Sequence, residues 1–337
     1  MAMLSIFLHE TGHPEDAVAM GLEAIGHAPD SMEVRNIIGH SFSSGVQGFH
    51  VPILLDEARN AAYAQAIARM VHPGMRVLEI GTGSGLLAML CAQAGALVTT
   101  CETNPIIAAT ARAIIDRNGL SDRVRVVAKH SNQIRIPEDM DAPADLLVHE
   151  IFGSRLVDEG VTSALIDSRA RLLAPKAPSL PPAAEIRCAL ARSDVPRKEV
   201  GLVQGFDLSL FNLLNAPGRR PPLRKRKGVQ YCSKPASVLR MDYDSPAPFG
   251  PEKETQSLIS TGGRVDGILQ WIRLDFGAGN LLENNPLDGG FISSWGAALF
   301  DFVTPLETKV GDVIDVTISH NGMRLLIDAL PRLSSVP

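Results

Sequence analysis

Val77-Leu78-Glu79-Ile80-Gly81-Thr82-Gly83-Ser84-Gly85 reads as a buried strand running straight into a glycine-rich turn, and Leu86 to Ala94 continue as an apolar helix. Roughly twenty residues on, Val98-Thr99-Thr100-Cys101-Glu102 is a second apolar strand that ends in a carboxylate. In a doubly wound sheet, that position offers the carboxylate to the two hydroxyls of a ribose. The pattern points to a site for an adenosine-containing cofactor. Two other cofactor motifs are excluded by spacing. The turn is G-T-G-S-G and not G-x-G-x-x-G, so the third packing glycine of the dinucleotide fingerprint is missing. No G-K-[ST] follows, so there is no phosphate cradle of the P-loop kind.

Working outward, the chain alternates strand and helix from Arg76 onward. Strands are expected at 76–80, 97–101, 123–128 and 145–149, with helices at 85–94, Pro105–Asn118 and 158–173. This is an open α/β arrangement. A helix over Pro52–Arg69 precedes it, and 41–49 form a small-residue linker. Residues 12–39 are helical and amphipathic, with Glu15 and Asp16 in a first turn where they suit the helix dipole. That stretch is similar to a fragment of a tetratricopeptide repeat. A single unit cannot bury its own apolar face, so it is either a remnant of an array or a helical pair packed on the main domain. After Pro175, β-branched and aromatic runs with Gly and Pro breaks take over, at 184–191, 235–243, 264–275, 295–303 and 312–319. The expected fold is α/β: an open doubly wound (Rossmann-like) sheet, then a mainly antiparallel β-domain, with N-terminal helices. The expected domains are 1–45, 46–177 and 178–337.

Composition narrows the class. The 337 residues carry 45% hydrophobic side chains, enough for a sizeable core, and a net charge of -5, which argues against a general nucleic-acid binder. Cys91, Cys101, Cys188 and Cys232 lack C-x-x-C or metal-ligand spacing and read as reduced residues of a cytoplasmic protein. No metal is expected. No apolar run reaches membrane-spanning length. Met1 to Leu8 is apolar but lacks a basic flank, so it makes a poor signal peptide.

The G-x-G-x-G turn preceded by Glu79 resembles the first motif of S-adenosylmethionine-dependent methyltransferases. Gly81, Gly83 and Gly85 let backbone approach the ligand closely. Glu102 accepts the ribose hydroxyls, and Glu79 holds either the turn or the ligand ammonium. After the strand 145–149, Glu150-Ile151-Phe152-Gly153-Ser154-Arg155-Leu156-Val157-Asp158-Glu159 places two glutamates around a loop at a strand's carboxyl end, where open α/β sheets bind ligands. This loop resembles the double-glutamate loop of protein arginine methyltransferases. The resemblance implies that Glu150 and Glu159 clamp a substrate guanidinium, whose planar fork of donors suits carboxylates. Holding its charge away from one terminal nitrogen leaves that nitrogen's lone pair free to attack the sulfonium methyl.

Further motifs carry the same resemblance over residues 46–330. His50-Val51-Pro52-Ile53-Leu54-Leu55-Asp56-Glu57-Ala58-Arg59 is similar to the family's H-x-x-M-L-x-D-x-x-R helix. It implies Arg59 on the cofactor's carboxylate and His50 nearby. Lys129-His130-Ser131 resembles the K-H-S of the monomethylating (type III) branch, which implies His130 and Ser131 beside the adenine. Gly263 to Trp271 resembles that branch's β-domain, with Trp271 read as core. Ser293-Ser294-Trp295 falls where the family carries T-H-W, which implies Trp295 against the guanidinium face. Arg219 to Lys227 is a basic run that reads either as a solvated loop or as part of a dimerisation arm near 207–230, which implies a homodimer.

The chain departs from the family at two places. Ser294 replaces the T-H-W histidine, which in the family pairs with the aspartate matching Asp56, and the N-terminal Y-F-x-x-Y tyrosines are missing from His40 to Ser44. The expected activity is methyl transfer from S-adenosylmethionine to arginine in proteins. The departures keep two alternatives open: a methyltransferase for a small guanidine or other metabolite, and a non-catalytic cofactor-binding scaffold. Phe152 either restricts the room around the methylated nitrogen or serves the core.

Overall fold

The computed structural model describes residues 1–195, 197–216, 218–220, 228–247, 249–287 and 294–332. They form two compact units. The first holds Met1–Ile151, Ser163–Pro182 and Phe276–Asn280; the second holds the described residues of Phe152–Thr162, Ala183–Asp275 and Leu281–Pro337.

The first unit opens with helices α1 (Ala2–Glu10), α2 (Pro14–His27) and α3 (Met32–Phe42). Pro14 sits at the first turn of α2, where its missing N–H is no loss. At the crossing of α1 and α2, Ser5 Oγ donates to the Ala17 carbonyl at 2.7 Å. A Cβ on Gly21 would come within 3.1 Å of that hydroxyl. Ala17 and Val18 of α2 pack on Ile106 and Ala109 of α7 (Pro105–Arg117), and Glu15 pairs with Arg112. Residues 2–8, apolar in sequence, lie in α1.

The helix expected over 52–69 is broken. It divides into α4 (His50–Leu54) and α5 (Glu57–Met70), because Asp56 turns its side chain to cap α5, accepting the Arg59 N–H at 3.0 Å. Five parallel strands follow: β1 (Arg76–Ile80), β2 (Leu97–Cys101), β3 (Val124–Val127), β4 (Leu146–His149) and β5 (Ser179–Leu180). Their order is β3-β2-β1-β4-β5. β1 is central, and Val77, Leu78, Glu79 and Ile80 are all buried, as a parallel strand covered on both faces requires. The order reverses between β1 and β4, which is the switch point where such sheets bind ligands. Helix α6 (Leu86–Gln93) returns from β1, and α8 (Val161–Arg171) follows β4.

The second unit is antiparallel. Its seven-stranded sheet runs β10 (Ala236–Asp242), β6 (Ala183–Ser193), β11 (Lys253–Asp275), β13 (Ala298–His320), β14 (Leu325–Arg332), with β9 (Val229–Tyr231) on β6 and β12 (Leu281–Glu283) on β11. A small hairpin, β7 (Leu202–Val203) with β8 (Phe206–Asp207), stands apart. The two 23-residue strands β11 and β13 are far longer than the expected 264–275, 295–303 and 312–319. Their missed portions, such as Lys253 to Ser257, are exposed and polar, so no apolar alternation marks them. Trp271 is fully buried and donates to Glu283 Oε1 at 2.7 Å, a core residue as read. All four cysteines are free and buried.

Candidate active site

In the first unit the site grows from the carboxyl end of β1. Gly81, Gly83 and Gly85 have φ of 88°, 51° and 82°, the left-handed region that disfavours side chains. Their surroundings differ. A Cβ on Gly81 would lie 2.8 Å from Ile151 Cγ2, and one on Gly85 3.1 Å from Ile115 Cδ1, whereas Gly83 faces open space. Glu102 closes over this turn, accepting the Gly83 N–H at 3.2 Å and the Asn104 N–H at 2.9 Å. A carboxylate has about four lone-pair sites, so Glu102 keeps acceptors for ribose hydroxyls. An open cradle at Gly83 that a Cβ would fill, beside a carboxylate with spare acceptors, fits an adenosine-bearing cofactor.

Glu79 is buried beneath the turn and accepts from Thr100 Oγ1 at 2.6 Å; Thr100 in turn meets Thr82 Oγ1 at 2.6 Å. Burial pushes its pKa up to about 8, although the Thr100 hydroxyl and the Arg59 charge pull the other way. Glu79 thus braces the strand–turn junction. His50 opens α4 and stacks on Phe49 at 4.5 Å between ring centroids. Its pKa is lowered by burial, and the charge of Glu102 opposes that. His130 and Ser131 form a small capped 3-10 turn after β3, in which His130 Nδ1 accepts from Asn132 N–H and Ser131 is buried. Lys129 beside them is paired with Asp139.

Arg59 is the residue whose surroundings the sequence did not disclose. Its guanidinium makes a two-pronged pair with Glu150: Nε donates to Oε1 at 2.9 Å, and Nη2 meets Oε2. Nη1 donates to Asn60 Oδ1 at 2.7 Å, and the group lies 4.9 Å above the Tyr63 ring. Tyr63 donates its hydroxyl to the His149 carbonyl at 3.0 Å. Helix α5 is thereby fastened to the end of β4, where Glu150 begins its loop. The partners are 91 residues apart, so no local pattern foretells the pair.

In the second unit, residues 152–162 carry the rest of the loop. Phe152 is buried, its ring stacked at 6.0 Å from Trp295 and 6.4 Å from Tyr243. Trp295 is 7% exposed, and its carbonyl accepts from Asn284 Nδ2 at 2.9 Å. Glu159 adopts φ 66°, ψ 12°, a left-handed conformation costly for a non-glycine residue. Its pKa is raised, first by desolvation and then by the charge of Asp158. Burial raises Asp158 as well, against the opposing charge of Arg155. Gly153 lies beside these acids: a Cβ there would stand in ordinary contact, 3.4 Å from Glu159 Oε1 and 3.7 Å from Asp158 Oδ2. Ser293 and most of the basic run, 221–227, lie outside the described residues. Arg219, at the start of that run, is paired with Asp301.

Known proteins bear on this geometry. The family model of ribosomal protein L11 methyltransferase (PrmA) matches residues 62–171, which span the glycine turn and both glutamates. An arginine N(omega)-methyltransferase of Streptomyces achromogenes subsp. streptozoticus is 33% identical over 285 residues, covering 84% of this chain and 78% of that one. Protein arginine N-methyltransferase 7 of Oryza sativa subsp. indica is 29% identical over 245 residues, covering 66% of this chain but 34% of its own. The chain thus spans about a third of the length of that relative. Among solved structures, the Trypanosoma brucei PRMT1 enzyme–prozyme heterotetrameric complex with AdoHcy shares the fold, with a TM-score of 0.74 at 21% identity over 87% of this chain and 95% of that one. A Rossmann-like sheet ending in a glycine turn, an antiparallel second unit and a relative matched over most of both chains agree, and the chain belongs to the arginine N-methyltransferase family of S-adenosylmethionine-dependent enzymes.

Proposed function

We propose that the protein transfers the methyl group of S-adenosylmethionine to a terminal guanidino nitrogen of arginine in proteins, with Glu150 and Glu159 holding the guanidinium. The supporting observation is the placement of Glu150 directly after β4, at the switch point that also carries the glycine turn and Glu102. Bound S-adenosylmethionine supplies the electrophilic methyl. Gly83 leaves room for it, Glu102 accepts its ribose hydroxyls, and Glu79, Gly81 and Gly85 shape the turn. His50, His130 and Ser131 line the adenosine side. Arg59 uses one N–H each from Nε, Nη2 and Nη1 in the contacts above, and its two remaining N–H groups take the cofactor's carboxylate. In such a transfer the guanidino nitrogen would form the N–C bond as the S–C bonding pair stayed on sulfur, and the proton released from nitrogen would pass to solvent. Trp295 supplies an aromatic wall with Phe152, which restricts the product to monomethylarginine.

A homodimer is part of this reading. The segment after β6 displays Leu202, Phe206, Leu210, Phe211, Leu213 and Leu214 to solvent, more apolar surface than an isolated hairpin and turn warrant. Four free, buried cysteines suit a reducing, cytoplasmic setting. No helix among the described residues is long and apolar enough to cross a membrane.

A small guanidine is the second reading. It is favoured by the name of the relative covering 84% of the chain, which specifies arginine and not protein arginine. Ser294 and the missing N-terminal tyrosines point the same way. The test is transfer of labelled methyl to an arginine-rich peptide, to the same peptide with lysine at every arginine, and to free L-arginine. Signal on the first alone supports the protein reading, with monomethylarginine expected by mass. Signal on free arginine alone replaces it with the second. No signal on any, with cofactor binding intact, overturns both.

A further inference from the structure

Gln270 sits in the middle of β11, paired with Cys188 of β6 on one side and Ala298 of β13 on the other. It is fully buried. Its Nε2 donates to the Ser154 carbonyl at 2.7 Å, while its Oε1 meets no donor among the described residues. A leucine here would fill the same space and carry no acceptor of its own to strand, giving up only the bond to the part-buried Ser154 carbonyl, whereas an unsatisfied buried acceptor costs on the order of 1–3 kcal/mol. The amide is an expensive choice for a strand core. What it obtains is a hold on one carbonyl of the loop that bears Glu159.

The same loop residue is held from a second side. Gly296 N–H donates to Ser154 Oγ at 3.0 Å, and Gly296 follows Trp295, whose carbonyl Asn284 fixes. Asn284 Oδ1 in turn accepts the Ile272 N–H at 2.8 Å, two residues along β11 from Gln270. Ser154 is therefore clamped between the sheet and the Trp295 turn. Its neighbour Gly153 lies beside the Glu159 carboxylate: an ideal Cβ on it would stand 3.4 Å from Glu159 Oε1. Any displacement of Ser154 carries Gly153 with it and changes the room around that carboxylate.

We propose that Gln270 is a positioning residue for methyl transfer: through the Ser154 carbonyl it sets the loop so that the Glu159 carboxylate stands where the guanidinium is held. This rests on the arginine-methyltransferase reading above. Errors of about an ångström in such positioning cost roughly a hundredfold in rate.

The test uses the full chain with Gln270→Leu and Gln270→Glu, read by kcat on whichever arginine acceptor the unaltered protein methylates, S-adenosylmethionine affinity, Tm and trypsin cleavage after Arg155. In Gln270→Leu, kcat falls roughly tenfold or more, cofactor affinity holds, Tm is unchanged or higher, and cleavage after Arg155 quickens while other sites stay protected. A glutamic acid at 270 donates to Ser154 only while protonated. Its activity relative to the unaltered protein is therefore highest at acid pH and declines as pH rises. The proposal is overturned if Gln270→Leu keeps its kcat and its Arg155 protection, or if its losses track a lower Tm and the Gln270→Glu ratio is flat with pH. The trypsin arm decides the matter even where the unaltered protein methylates no arginine, an outcome that instead counts against the arginine reading.

Discussion

Glu150 and Glu159 lie nine positions apart in one loop, yet each is kept by a different kind of environment. Glu150 belongs to the parallel-sheet unit, and its side chain is 6% exposed and locked onto the guanidinium of Arg59. Glu159 belongs to the antiparallel unit, more exposed, on a left-handed backbone, with no ion pair among the described residues. One carboxylate is built into its unit as a structural pair. The other is held on a left-handed backbone, a conformation that its loop neighbour Leu156 also adopts. Identical residues are thus held in different ways: Glu150 by an ion-pair partner, Glu159 on a left-handed backbone beside Gly153.

The largest effect that would break this contrast is in the paired substitutions to glutamine. Glu150→Gln is expected to lower methyl transfer by roughly a thousandfold and also to destabilise the protein by about 3 kcal/mol, because it leaves the buried Arg59 uncompensated. Glu159→Gln should lower transfer by a hundredfold or so while stability stays within about 0.5 kcal/mol. Equal stability losses in urea unfolding would dissolve the distinction between the two glutamates.

A smaller effect sharpens the division of labour in the glycine turn. Gly83→Ala meets no neighbour, so it should cost only about 1 kcal/mol of backbone strain while weakening S-adenosylmethionine binding by roughly tenfold or more. Gly81→Ala, 2.8 Å from Ile151 Cγ2, should instead cost about 2 kcal/mol in stability. Calorimetric titration beside thermal melts separates the two; an unaltered cofactor affinity in Gly83→Ala would place the ligand elsewhere.

A further effect, read against pH, concerns Glu79. Its pKa rises on folding from an ordinary 4.5 to about 8, so the native state binds a proton more tightly than the unfolded chain does. Its contribution to stability is therefore full below the ordinary carboxylate range and is lost as pH climbs toward about 8. Glu79→Gln should flatten that part of the profile. Urea midpoints at about pH 5 and about pH 9 that shift by the same amount in both proteins would contradict the burial account.

Much of the parallel-sheet unit was legible in the sequence because its signals are local. β1 and β2 run over the residues their apolar runs mark, and Gly81, Gly83 and Gly85 all take the left-handed conformations for which a glycine turn is needed. The antiparallel unit was less legible. β11 and β13 find their hydrogen bonds in each other over long exposed stretches such as Lys253 to Ser257, where pairing, not apolar periodicity, makes the strand. The helix expected over 52–69 failed for a reason visible only afterwards: Asp56 could continue the helix or cap the next one, and it caps.

By itself the sequence determined the strand–turn–helix of β1 and α6 with its glycine turn, the acid at the end of β2 and the spacing of the two glutamates, all written in residues within a few positions of one another. Only the tertiary structure decided that Arg59 lies against Glu150, that Phe152 stacks on Trp295 and that Gln270 holds Ser154. Those partners stand 91, 143 and 116 positions apart in the chain. Side chains so distant meet only after the strands that carry them have found their neighbours, and a periodicity read along the chain holds no information about which distant atoms burial will bring into contact.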